Sequence, residues 1–538
     1  MPRRWVMPLA VLAVCAGAVA PARAQVAVVA VKSIDALRAD VRYVLGMAGQ
    51  EERARQLDEL IKSLTGEKGL AGLDTQRPFG AYVNLPAKLG MNPPAVAFLP
   101  VTKEEDLLGL LDTLGIPVSK PENGVRGIDL PGGQKAYFRF AHRYVYVSDT
   151  AANLGGNLPD PAKLFQPDRL KDNLLTAALR FDEVPKHQKQ LLLSLIDTQI
   201  AAEQERKPGE SDNEYQSRLA ATKLARDVLG SLVEESGALT FDLRIDQKAN
   251  RIAFDLALVP KAGTVLAGRF RTFTAGRSPF QGLLADAAAG LVVHVPVADE
   301  LRRELVQLFT RGVEEGLKNE KDPQRRALAK KLHAALLPTL EAGVIDFGAA
   351  LLGPRGDDKK FVGVLGVKVA EGKKLEEVFL ELVKLLPAEE KGRVKLAQAE
   401  AGGVKVHVIQ AGKSLPDAQA EKVFGPFHFV LAFRDDVLLV TMGEHGLEVM
   451  KETIAALDRP AAGAAPPVQL ELAVARVALL NLEERERIEQ ALAKAFPGGP
   501  QGRDRVRVTL QGGDALRLRF EAPAEIIRVI AELAPAMQ

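Results

Sequence analysis

The sequence has 538 residues, of which 26% are charged and only 5% aromatic, and its formal net charge is +2. A nearly neutral chain lacks the strongly basic surface that binds nucleic acid or an anionic membrane, so neither is predicted as a partner. The length exceeds what a single hydrophobic core organises, and at least two domains are therefore expected.

Residues 1–24 are predicted to be a signal peptide. Arg3 and Arg4 precede a short apolar stretch that cannot span a bilayer, and an Ala-Arg-Ala sequence ends the segment with the small residues that a signal peptidase requires. The only cysteine, Cys15, follows Val14, which is bulkier than the residue that lipidation favours. Plain export to the periplasm or the medium is therefore expected rather than a lipoprotein, and the exported chain would lack disulfides and thiol nucleophiles. No transmembrane segment is predicted after it.

The first half of the exported chain, residues 25–285, is predicted to open with a unit of strand, two helices, hairpin and helix. Period-two alternation indicates the strands, and apolar residues at helical spacing indicate the helices. In chain order these elements are a strand and helix at 26–46, a helix at 51–64, strands at 79–85 and 95–101, and a helix at 103–115.

A meander of three strands follows, and then the unit is repeated. The meander strands are predicted at 124–130, 135–143 and 144–150. The second copy comprises a strand and helix at 177–196, a helix at 212–236, strands at 238–246 and 251–259, and a helix at 262–273. The segment 274–290 is predicted to join the two halves.

The second half, residues 288–538, repeats this order. Its first unit has a strand and helix at 290–309, a helix at 325–343, strands at 344–352 and 361–369, and a helix at 373–386. Meander strands are predicted at 403–410, 425–433 and 437–443, with inserted residues at 391–403 and 413–425. The last unit lacks the second helix and has elements at 468–477, 482–496, 505–510, 516–522 and 523–534.

Matching residues support a tandem duplication of a half of roughly 260 residues. Phe79-Gly80-Ala81 matches Phe347-Gly348-Ala349, and Phe140 matches Phe433 at a larger offset, as an insertion requires. The predicted fold is therefore α+β: two homologous halves, each a mixed, mainly antiparallel sheet whose face is covered by amphipathic helices.

Candidate metal ligands are few, because the chain has only seven histidines. His407 and His428 alternate with apolar residues on strands expected to be neighbours, and both are predicted to lie on the same sheet face. Two imidazoles rarely hold a metal alone, and no carboxylate occupies an obvious third position. The favoured interpretation is therefore two strand histidines, without a metal or cofactor.

Motifs for other chemistry are absent from the sequence. No nucleophile elbow, zinc-protease helix or phosphate-binding loop is present. His294 is interpreted as a structural strand residue, and Asp435-Asp436 as a tight turn in which aspartate forms local hydrogen bonds. No enzymatic activity is predicted.

The layout resembles that of uncharacterised exported bacterial proteins with a duplicated α+β organisation, through stretches such as SIDALRADVRYVLGMAGQ and GLVVHVPVADELRRELV. This resemblance implies a class and a location but no site residues. The favoured expectation is an exported, non-enzymatic binding or scaffold protein with a protein or peptide partner. The alternatives are a carrier of an apolar ligand in a cavity between sheet and helices, and an enzyme of unrecognised type.

Overall fold

The computed structural model describes residues 25–65, 69–85, 94–129, 133–165, 167–203, 205–206, 208–210, 212–356, 359–410, 418–459 and 463–533. The predicted signal peptide, with Cys15, lies outside these residues. The described residues form two compact units: unit 1 comprises those within 25–205, 222–267 and 521–533, and unit 2 those within 206–221 and 268–520. The predicted α+β class is confirmed, since every strand pairing described below is antiparallel.

Unit 1 contains a nine-stranded sheet. Its strands are β1 (Gln25–Val31), β2 (Phe79–Asn84), β3 (Ala95–Pro100), β4 (Arg126–Asp129), β5 (Lys135–Ala141), β6 (Tyr144–Ser148), β7 (Leu175–Arg180), β8 (Ser236–Asp246) and β9 (Arg251–Pro260). They pair in the order β4-β5-β6-β3-β2-β1-β7-β8-β9. The opening strand β1 is therefore central, and both predicted hairpins are present.

Helices cover both faces of the meander side of this sheet. The α-helices described between residues 25 and 205 are α1 (Ile34–Met47), α2 (Glu51–Thr65), α3 (Glu104–Thr113), α4 (Pro161–Leu164), α5 (Pro167–Asp172) and α6 (Lys186–Glu203). Leu107 and Leu110 of α3 pack with Phe138 and Val145 on one face. Tyr146, the neighbour of Val145, packs on the other face in an aromatic cluster beneath the segment 151–165. The strands are thus apolar on both sides.

Nine strands of unit 2 likewise pair antiparallel. They are β10 (Ala287–Pro296), β11 (Val344–Arg355), β12 (Lys360–Lys368), β13 (Val394–Ala401), β14 (Val404–Gln410), β15 (His428–Phe433), β16 (Val437–Met442), β17 (Val468–Ala473) and β18 (Arg505–Gln511). They pair in the order β13-β14-β15-β16-β12-β11-β10-β17-β18. Strand β13 occupies the predicted insertion 391–403, which was expected only to lengthen a loop.

Helices of unit 2 also lie on both sheet faces. They are α9 (Asp299–Asn319), α10 (Pro323–Glu341), α11 (Gly372–Leu385), α12 (Ala388–Lys391), α13 (Ala418–Phe424), α14 (Gly446–Leu457), α15 (Val474–Ala478) and α16 (Arg485–Ala495). Helix α14 is not among the elements predicted from the sequence. It buries Val449, Met450 and Ile454 in the largest core. On the opposite face α11 and α10 pack through Leu375 and Ala335.

The two strand orders correspond closely. The series β5-β6-β3-β2-β1-β7-β8 of unit 1 has the same connectivity as β15-β16-β12-β11-β10-β17-β18 of unit 2. The shared Phe-Gly-Ala motif also has an equivalent pairing in both units: Phe79 lies opposite Val31, and Phe347 lies opposite Val293. Common ancestry of the halves stays a prediction, but the arrangement it requires of these strands is present.

The units do not coincide with the predicted halves at their ends. The chain passes between units within α7 (Asp212–Glu235), α8 (Val265–Thr272) and β19 (Leu516–Pro523). Residues 268–285, assigned from the sequence to the first half, belong to unit 2. The final helix α17 (Glu525–Leu533) belongs to unit 1, where it packs against α1 and where Asn250 Nδ2 donates to Glu525 Oε1 at 3.1 Å.

Phe280, in the short 3-10 helix Pro279–Leu284, anchors the segment before β10. The side chain is fully buried. A Cβ added to Gly348 would lie 2.4 Å from Phe280 Cβ, and one added to Gly366 would lie 2.3 Å from Phe280 Cε1. Only strands that carry glycine at these two positions leave room for the ring.

A buried carboxylate, Glu471 on β17, holds the same segment through arginine. Arg505 Nη1 lies 2.9 Å from Glu471 Oε2 and also donates to the carbonyl oxygen of Leu284 at 2.7 Å. Arg507 Nε donates to Glu471 Oε1 at 2.8 Å. Burial raises the pKa of Glu471, but the hydrogen bond from Arg505 and the charge of Arg507 outweigh it and hold the pKa below its usual value.

Replacing Glu471 with glutamine is expected to lower the free energy of unfolding at pH 7 by about 2 kcal/mol, because two arginines lose their counter-charge. Since the folded pKa is depressed, the contribution is complete above the unfolded carboxyl pKa of about 4.3 and is lost as pH falls towards the lower folded value. Denaturant unfolding from pH 3 to pH 7 checks this. Glu452→Gln is the control, because Glu452 pairs with Arg355 at the surface and should cost less than about 1 kcal/mol. Equal losses in both variants would contradict the assignment.

None of the helices in the described part of the chain combines the length and apolar content that a bilayer crossing requires.

Candidate functional site

His407 and His428 do not form a shared site. In the β14–β15 pairing, Gln410 lies opposite His428, whereas His407 lies opposite Leu431. Because side chains alternate along a strand, this odd offset places the two histidines on opposite faces of the sheet. The expectation of a common face is wrong, because the sequence does not determine the register between the strands.

His407 is a structural residue beneath α11, and both ring nitrogens are engaged. Nδ1 accepts a hydrogen bond from Ala397 N at 3.3 Å, so Nε2 carries the proton and donates to Glu376 Oε1 at 3.1 Å. The ring also meets Phe379 and Phe433 edge-on, with centroids 5.3 and 6.1 Å apart. No nitrogen lone pair is left for a metal ion. Nowhere in the described ranges do three His, Cys, Asp or Glu side chains form a group that could hold one.

His294 joins a hydrogen-bonded group with Ser278 and Asp346. Ser278 Oγ donates to Asp346 Oδ1 at 2.6 Å, and His294 Nδ1 lies 2.9 Å from Asp346 Oδ2. In a nucleophilic triad the imidazole lies between serine and carboxylate, so that it can take the hydroxyl proton. Here the carboxylate lies between them, and the serine has no base. The group ties the segment before β10 to the paired strands β10 and β11, which agrees with the structural interpretation of His294.

Asp435 and Asp436 form the predicted turn between β15 and β16. The backbone oxygen of Asp436 accepts from Val369 N at 2.9 Å, and that of Asp435 from Gly372 N at 2.8 Å. Asp435 Oδ1 lies 2.9 Å from Lys373 Nζ, and Asp436 Oδ1 lies 3.8 Å from Arg434 Nε. Both carboxylates are exposed at the surface, as in a solvated turn.

The candidate site is an apolar groove of about 820 Å³ between α10 and α11 in unit 2, here called the α10–α11 groove. One wall is a stripe of α10 and the other is the apolar face of α11. The floor is the sheet, with Val367, Phe433 and Leu438. The α10 stripe consists of Arg325, Leu328, Ala329, Leu332, Leu336 and Thr339; the α11 wall consists of Leu375, Val378, Phe379, Leu382, Leu385 and Leu386.

The sequence predicts both helices that form these walls, but it does not predict the groove between them. Apolar residues at helical spacing on α11 predict a helix covering the sheet, and Leu375 and Val378 are indeed buried. Leu382 and Leu385 of the same stripe, however, remain 46% and 41% exposed, as does Leu332 of α10 at 42%. The apolar face is wider than the sheet contact requires, and that excess width is the signal in the sequence.

The α10–α11 groove has the size and chemistry of a small-molecule site. Such sites commonly enclose about 300–1,000 Å³, with mostly apolar walls and a few polar groups. Its polar side chains are Arg325, Thr339 and Glu390, and Val369 and Pro387 also line it. A smaller depression of about 320 Å³ on the α9 side of α10 shares Arg325, Ala329, Leu332 and Leu336 with it.

Neither a scan against family models nor searches of curated proteins and of solved structures found a match for the chain.

Proposed function

We propose that the protein is an exported, non-enzymatic binding protein of the cell envelope that holds an apolar ligand in the α10–α11 groove. The observation that carries the proposal is the groove itself: about 820 Å³ of space lined mainly by leucine, valine and phenylalanine. Water in such a space makes few hydrogen bonds, so an apolar ligand that displaces it gains free energy.

The surroundings of the groove support a preformed site. Its floor consists of paired strands, and the His407–Glu376 hydrogen bond fixes the ring against which Phe379 and Phe433 pack. The two walls are joined by the ion pair between Lys331 Nζ and Glu381 Oε1 at 2.6 Å. A ligand that enters a preformed space avoids the free-energy cost of ordering its binding site.

Replacing Leu382 with lysine is expected to weaken binding of an apolar fluorescent probe, N-phenyl-1-naphthylamine, about tenfold. The substitution removes part of an apolar wall and brings a charge into the groove, a loss of about 1.4 kcal/mol. Titration of probe fluorescence with the purified protein measures the dissociation constant.

The matched control is Leu195→Lys. Leu195 lies on α6 in unit 1 and is 46% exposed, the same fraction as Leu382, but it does not line the groove. Probe affinity should be unchanged in this variant. Equal affinities in the wild-type protein and both variants would show that the probe binds elsewhere and would remove the proposal.

A further inference from the structure

The α10–α11 groove has one apolar end and one charged end. Because its two walls are antiparallel, the start of α10 and the end of α11 lie at the same end of the groove. At one end Ala370 N, just before α11, donates to Thr339 Oγ1 near the end of α10 at 3.0 Å. Midway, Lys331 pairs with Glu381. Arg325 precedes Lys331 in α10, and Glu390 follows Glu381 after α11. Arg325 and Glu390 therefore both lie at the end of the groove that is far from Thr339.

Both signs of charge are present at this end. The Arg325 guanidinium and the Glu390 carboxylate line the groove and are solvent-exposed. Asp322 Oδ2 lies 3.9 Å from Arg325 Nε, and Glu320 lines the adjoining depression together with Arg325. A purely anionic group here would face Arg325 but also these carboxylates, and a purely cationic group would be repelled by Arg325.

From this distribution we propose that the groove binds a single-chain amphiphile with a zwitterionic headgroup. The inference rests on the proposed function and names its ligand class. The apolar chain lies along the α10 stripe, which from Arg325 to Thr339 is about 21 Å long at 1.5 Å per residue. The anionic part of the headgroup faces Arg325, and its cationic part faces Glu390. A zwitterion alone satisfies both charges at once.

Four amphiphiles with twelve-carbon chains and different headgroups test the proposal. They are dodecylphosphocholine, dodecanoate, dodecyltrimethylammonium and dodecyl maltoside, each below its micelle concentration. Displacement of N-phenyl-1-naphthylamine from the full-length protein gives their affinities. Dodecylphosphocholine should bind about threefold more tightly than either singly charged amphiphile, since exposed charge pairs contribute modestly.

Two neutralising variants assign the charges. Glu390→Gln should raise the affinity for dodecanoate and lower that for dodecyltrimethylammonium, each about threefold. Arg325→Gln should do the reverse. Lys373→Gln is the control, because Lys373 pairs with Asp435 and does not line the groove; it should change neither affinity.

The outcomes separate the two proposals. If none of the four amphiphiles binds, or if Leu382→Lys leaves all four affinities unchanged, the groove is not the binding site and the proposed function fails with the inference. If Leu382→Lys weakens all four while the wild-type protein does not discriminate between them, the groove stands and the zwitterion proposal is overturned. Preference for dodecanoate, unaltered in Arg325→Gln, would overturn it as well.

Discussion

Replacing Phe280 with alanine is expected to lower the free energy of unfolding of unit 2 by about 3–5 kcal/mol. The ring is fully buried in the largest core and occupies the space left by Gly348 and Gly366. Backbone hydrogen bonds hold the neighbouring strands, so they cannot collapse into the cavity that the substitution leaves. Urea unfolding followed by circular dichroism measures the loss, and hydrogen exchange with mass spectrometry locates it in β11 and β12.

A double-mutant cycle tests the contact between Phe280 and Gly366 directly. Gly366→Ala alone should cost about 1–3 kcal/mol, because its methyl group meets the Phe280 ring. In the Phe280→Ala background the same methyl group enters the cavity, and most of this cost should disappear. If the two losses simply add, Phe280 does not rest on Gly366. Phe273→Ala, at a half-buried phenylalanine of the same segment, is the control for a general loss of apolar contact.

The second large effect is expected from Val529→Asp in α17. Val529 is 1% exposed, and a carboxylate there would be buried without a partner, at a cost of about 4 kcal/mol. Because α17 belongs to unit 1 and packs against α1, the destabilised region should include α1, which lies at the other end of the sequence. Hydrogen exchange of α1 peptides measures this.

The adjacent residue provides the control for that variant. Ile530 is 61% exposed, so Ile530→Asp introduces the same charge on the solvent side of the same helix and should change stability by less than about 0.5 kcal/mol. Faster exchange confined to β17 and β18 in Val529→Asp, with α1 unchanged, would contradict the assignment of α17 to unit 1.

Elements and their order could be read from the sequence because they depend on local periodicity. The unit of strand, two helices, hairpin and helix is present at 25–113 and again at 287–385, and the boundary residues differ by only a few positions. Two departures have local causes. The strand predicted at 468–477 ends at Ala473 because α15 begins at Val474, and α14 is not among the predicted elements although its apolar residues have helical spacing.

The register between strands and the gap between α10 and α11 depend on contacts between residues that are far apart in the sequence. Local periodicity therefore does not predict them. A shift of one residue between β14 and β15 would have placed His407 and His428 on one face, and nothing in either strand fixes that choice. The α10–α11 groove could not be predicted for the same reason. The sequence shows the leucines of both helices, but which of them the sheet covers depends on the separation of α10 and α11.

The position of α17 affects the time at which the molecule can become complete. Multidomain proteins usually fold from the N-terminus as they leave the ribosome. Here residues 521–533 belong to unit 1 although all of unit 2 precedes them in the chain, so α17 can pack against α1 only after unit 2 has been synthesised. Until then, the surface of α1 that α17 covers stays exposed on the nascent polypeptide.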